Sequence, residues 1–131
     1  MPISEAGIQL HISWIYTQDI DLTSKFFRDL MRFECLRETA DTCLFRTTRN
    51  SAIGVCRVFG DRVVEPKGGM ISLVTADVDA LHARLLNNGA HIDEAPQRLE
   101  RFGIYRFALR DPNGYVIEIQ QFDDADWLPP A

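Results

Sequence analysis

One five-residue pattern of this chain occurs twice. Thr17-Gln18-Asp19-Ile20-Asp21 is answered 58 positions later by Thr75-Ala76-Asp77-Val78-Asp79. Each copy follows an apolar or alternating run, residues 10–16 and 70–74, of the kind that forms a strand. Each precedes an apolar stripe at helical spacing: Phe26, Phe27, Leu30 and Met31 after the first, Val78, Leu81, Leu85 and Leu86 after the second. Asp19 and Asp77 stand where a side-chain oxygen can cap the free N–H groups of a helix start. Gly89, after Asn88, suits the left-handed position that ends a helix. The shared strand–cap–helix context points to a duplicated unit.

Three further strand-like runs follow each helix. They lie near residues 34–38, 42–47 and 52–59 in the first half, and near 91–95, 105–109 and 115–122 in the second. Each half therefore reads β-α-β-β-β, an α+β arrangement of two modules, 8–60 and 68–122, within one domain spanning 8–122. Residues 62–69, with Pro66, Gly68 and Gly69, form the linker, and 123–131 form a C-terminal tail carrying Trp127 and Pro129-Pro130. In a chain of 131 residues each module is close to the lower size limit for an independent fold.

Charge and composition trim the list of partners. Lys+Arg 14 against Asp+Glu 19 gives −5, without basic blocks, which disfavours nucleic acid. No apolar run approaches the roughly 18–20 residues that span a bilayer. Residues 1–5 lack the basic and apolar segments of a secretory leader, so a cytoplasmic protein is expected. Cys35, Cys43 and Cys56 include no Cys-x-x-Cys pair, which favours reduced thiols over a disulfide framework or a structural zinc.

The sharpest local signal is Asp111-Pro112-Asn113-Gly114 between two alternating segments. Pro112 presets φ for a turn and Gly114 can adopt a positive φ. Pairing Arg110 with Tyr115 would set Phe107 opposite Glu118 and Tyr105 opposite Gln120. Val116, Glu118, Gln120 and Phe122 then share one face, and Ile117 and Ile119 the other, packed on the helices.

These residues resemble a known family. Arg110-Asp111-Pro112-Asn113-Gly114-Tyr115-Val116-Ile117-Glu118 is similar to the closing hairpin of the glyoxalase/bleomycin-resistance/extradiol-dioxygenase (vicinal oxygen chelate) superfamily. Asp19-Ile20-Asp21, Phe26-Phe27 and Arg28-Asp29-Leu30-Met31-Arg32-Phe33 resemble its first-module signature. The resemblance implies paired βαβββ modules whose curved mixed sheets form a cleft, usually completed in a homodimer. It also implies, for the enzymes of the superfamily, a divalent metal held by His, Gln or Glu on the first and last strands of each module. At that register this chain places Ile12 and Met70, which cannot ligate a hard ion. Glu118 matches the last-strand position, while the equivalent stretch of the first module, residues 55–57, has no carboxylate or histidine. His11 neighbours Ile12, but strand alternation sends it to the opposite face. No metal or other cofactor is expected; were a metal present, Glu118 and His11 would be its candidates. His82 reads as solvated and His91 as structural.

The residues facing the cleft would be Ile12, Trp14 and Tyr16 from the first module, with Met70, Ser72, Tyr105, Phe107, Glu118 and Gln120 from the second. Such a lining, apolar and aromatic with few polar groups, suits an organic ligand, and a carboxylate beside aromatic faces suits a cation. The same side chains could instead fill a small barrel core. Two functions follow. One is a metal-independent protein that binds or sequesters a planar aromatic or cationic compound. The other is a metal-dependent lyase, isomerase or dioxygenase, with Glu118 the best catalytic candidate.

Overall fold

Both copies of the repeat sit at the same joint, where a strand runs into a capped helix. In the computed structural model, which describes residues 6–131, β1 (His11–Thr17) leads into α1 (Ile20–Lys25), and the Asp19 carboxylate accepts from the Leu22 N–H at 3.1 Å. In the second copy β5 (Met70–Val74) leads into α2 (Val78–Asn87), where Asp77 accepts from Ala80 N–H at 3.0 Å. Residues 1–5, read above for the lack of a leader, lie outside the described residues.

The chain divides into two compact units, one running to Val64 and the other from Glu65 to Pro130. In the first, β2 (Glu34–Glu38), β3 (Thr42–Thr48) and β4 (Ser51–Arg57) complete a sheet in the order β1-β4-β3-β2. In the second, β6 (Gln97–Leu99), β7 (Ile104–Arg110) and β8 (Val116–Phe122) give β5-β8-β7-β6. The first and last strands of each unit run parallel and all other neighbours antiparallel. A parallel pair requires a crossover, and α1 and α2 provide it on one face of each sheet.

Alternation along the strands decides which side chains meet those helices. Ile15, Cys43, Phe45, Ile53 and Val55 are buried on the helix side of the first sheet. Phe107, Leu109, Ile117 and Ile119 do the same in the second, with Val78 and Leu85 of α2. The apolar stripe after Asp19 is less regular than its spacing suggests, because α1 widens at Phe26–Leu30 into a π-helical turn. That turn brings both Phe27 and Met31 into the core. Phe27 stacks on Phe33 at 6.4 Å between centroids and meets Phe45 at 5.8 Å. Aromatic packing of this kind offsets the less regular backbone ladder.

Two expectations need correction here. The third element of the second unit is not a strand at 91–95 but the three residues Gln97–Leu99, which begin just past Pro96, a residue without the N–H that would carry the ladder further back. The closing hairpin pairs Arg110 with Val116 rather than Tyr115. Asp111 is responsible. Its backbone N–H donates to Tyr115 O at 3.0 Å, and its carboxylate accepts from the N–H of Asn113 at 3.0 Å and of Tyr115 at 2.8 Å. The loop therefore takes in Asp111–Tyr115, one residue more than assumed, with Gly114 at φ 94°. A one-residue slip reverses the face of every side chain on one strand relative to the other. The tail packs its Trp127 edge-on against Phe122, with centroids 4.9 Å apart. Among the described residues no helix is long and apolar enough to cross a membrane.

Candidate functional site

The faces turned away from the helices hold most of the expected site residues. On the first sheet Ile15 and Thr17 point to α1, Thr17 through a 2.9 Å hydroxyl contact with Thr23. Ile12, Trp14 and Tyr16 therefore occupy the open face, beside Ala52, Gly54 and Cys56 of β4. The six-membered ring of Trp14 lies over Gly54: a Cβ added there would overlap ring atoms Cε3, Cζ3 and Cδ2. Glycine is the residue that lets the indole lie against the backbone, and Trp14 nonetheless remains 48% exposed. Beside it, the Arg62 guanidinium sits over the Tyr16 ring at 5.7 Å and over Phe59 at 5.6 Å, a cation–π sandwich. His11 is exposed at the start of β1, on the face opposite Ile12.

On the second sheet Met70, Ser72, Glu118 and Gln120 share the open face. Glu118 is buried and both of its oxygens are engaged. Ser72 Oγ donates to Oε1 at 2.9 Å, and Arg106 Nε donates to Oε2 at 2.9 Å. A buried carboxylate left alone would be costly, and this pair of bonds compensates it. Tyr105 and Phe107 are the two expected cleft residues that the geometry places elsewhere. The one-residue register shift turns both toward α2, where Tyr105 Oη donates to Asp79 at 2.6 Å and Phe107 meets the edge of the His82 ring at 4.9 Å. The bond to Asp79 raises the Tyr105 hydroxyl above its ordinary pKa. His82, expected in solvent, is instead half-buried on Phe107.

Sequence reasoning missed Arg106, Gly54 and Arg62. Arg106 belongs to the Glu118 face only in the longer-loop register, and the signal for that register was an Asp able to close the turn with its own side chain. Gly54 was visible as a lone glycine inside an apolar strand, the usual mark of a close approach. Arg62 had no signal beyond lying in the linker.

The donor set does not fit a divalent ion. Ile12 offers no ligand atom and Met70 only a soft thioether unsuited to a hard ion, and the oxygens of Glu118 already accept bonds from Arg106 and Ser72. Among the described residues no three His, Cys, Asp or Glu side chains gather where they could hold one.

Two four-stranded mixed sheets, each from a βαβββ unit, define a fold class shared with proteins of known structure. The pattern of the Glyoxalase/Bleomycin resistance protein/Dioxygenase superfamily matches residues 8–119, and the chain belongs to that superfamily. A lactoylglutathione lyase from Agrobacterium tumefaciens is 18% identical with a TM-score of 0.71, covering 86% of this chain and 92% of its own. A glyoxalase/bleomycin resistance protein/dioxygenase from Nocardioides gives a TM-score of 0.74 at 11% identity, over 93% of this chain and 88% of its own. A protein of the same description from Alicyclobacillus acidocaldarius gives 0.73 at 16%, over 92% and 96%. Among curated proteins no match is found.

Proposed function

We propose that this chain is a metal-independent, cytoplasmic small-molecule-binding member of its superfamily, and that it holds a planar aromatic compound by stacking on the open face of the first sheet. The observation that carries this reading is Trp14, half exposed and lying over Gly54 between Ile12 and Tyr16 on one strand face. An indole held in place by the backbone beneath it presents a fixed flat surface, and little entropy is lost when a ligand settles on it. The alternative of a cationic ligand rested on Glu118, whose charge here is answered by Arg106. A planar neutral or anionic compound is therefore preferred.

The test is a fluorescence titration of a Trp127→Phe variant, in which Trp14 is the one remaining indole. A panel of planar aromatics should include a naphthalenesulfonate and an acridinium as its anionic and cationic members. Saturable quenching is expected, stronger for neutral or anionic members, and lost in Gly54→Ala, which pushes the indole off the strand. No saturable response from any member would overturn the reading. Metal analysis of protein purified without chelator is the second arm. A stoichiometric divalent metal would sink the metal-independent part and leave the lyase, isomerase or dioxygenase alternative.

A further inference from the structure

On the helix side of the first sheet, away from the face that carries Trp14, two thiols converge. Cys35 Sγ and Cys43 Sγ are 3.1 Å apart, on neighbouring antiparallel strands and eight positions apart in the chain. In a regular ladder these two residues would be diagonal neighbours, because Cys35 pairs with Phe45. A bulge between Cys35 and Arg37 changes this, bringing Glu38 opposite Cys43 and redirecting the strand. The third thiol, Cys56, lies on the opposite face of β4, with its Sγ against Arg57 O at 3.3 Å.

We propose that Cys35 and Cys43 form a reversible intramolecular disulfide when the protein meets a peroxide, making the β2–β3 hairpin a redox-modification site. The sulfurs need approach by only about 1 Å to reach the bonded separation of about 2.05 Å, a change within reach of side-chain rotation. The oxidant is hydrogen peroxide and the chemistry is ordinary. Cys35, the half-exposed partner, attacks one peroxide oxygen; the O–O bond breaks, and Cys35 sulfenic acid and water result. The Cys43 thiol then attacks the sulfenic sulfur. The S–S bond forms, the S–O bond breaks, and hydroxide departs with the Cys43 proton as a second water. A dithiol reductant reverses the bond by exchange.

The order of events follows from the surroundings. Cys43 is buried, and burial together with the neighbouring Cys35 pushes its thiol up to about 12, so it is a poor first nucleophile toward peroxide. It also lines a cavity of about 530 Å³ with Ser24, Lys25 and Arg28, which gives leaving water a way out.

The experiment is peroxide treatment of the native chain, followed by alkylation, denaturation and thiol counting. Titratable thiols should fall from three to one, with the loss of two hydrogens from the intact mass. Trypsin cuts after Arg32, Arg37 and Arg46, so peptides 33–37 and 38–46 should emerge joined and separate again on reduction. Cys56→Ser should behave like the native chain, and Cys35→Ser should show no crosslink. The proposal is overturned if the joined peptides are absent and Cys35 proceeds to sulfinic acid, or if the crosslink involves Cys56. It is equally overturned if Cys35→Ser loses two hydrogens as readily as the native chain.

Discussion

Arg106 and Glu118 are a partly exposed base and a buried acid on adjacent strands, with the acid also bonded to Ser72. Such a pair adds little over a well-packed apolar substitute, because desolvation cancels most of the attraction. Removing one partner is a different matter. Arg106→Met strands the Glu118 charge in the sheet and is expected to cost about 3 kcal/mol. Adding Glu118→Leu should recover most of that loss, which urea midpoints of the single and double variants will show. If the single variant unfolds at the native midpoint, the pair does not hold the sheet. At this scale the sequence was half legible. Glu118 was identifiable from its motif, but its partner was not, because a residue becomes a partner only through register.

Elements that depend on local chemistry were the most readable. Asp19 and Asp77 cap their helices because the bond spans only three positions, and Gly89 turns the chain at φ 93° for an equally local reason. The hairpin loop was found, but its length was not, since the Asp111 side chain closes it. Burial raises the Asp111 carboxyl even though its bonds to Asn113 and Tyr115 pull the other way. The wide turn at Phe26–Leu30 was illegible, because Phe45, one of the rings that rewards it, comes from β3. A pH dependence belongs to this scale. Arg98 on β6 donates to Asp123 just past β8 and to Glu100, and the guanidinium lowers the Asp123 carboxyl below its ordinary value. For a depressed acid the stabilisation is complete above the ordinary pKa and is lost as pH falls through the lowered native value. Asp123→Asn should therefore be less stable than the native chain at neutral pH, with the difference closing in strong acid. Chemical denaturation at the two pH values checks this, and a gap that persists in acid would refute it. The exposure of the pair also predicts that salt narrows the gap.

For the molecule as a whole, the duplication gives two sheets whose open faces carry half-exposed apolar side chains, Trp14 on one and Met70 on the other. We expect the chain to associate as a homodimer, and light scattering should return twice the chain mass; a monomer mass across micromolar concentrations would remove that expectation. The short β6 bears on how such association proceeds. It pairs only with Ile104–Arg106, so the outer rim of Phe107–Arg110 has no strand beside it. The segment carrying His91, Asp93 and Glu94 runs alongside that rim, across a cavity of about 360 Å³. A long bare rim would recruit strands from other molecules and grow without limit. A three-residue border that starts just after Pro96, with acidic side chains posted next to it, works against open-ended stacking, so crowding should yield closed assemblies rather than fibres.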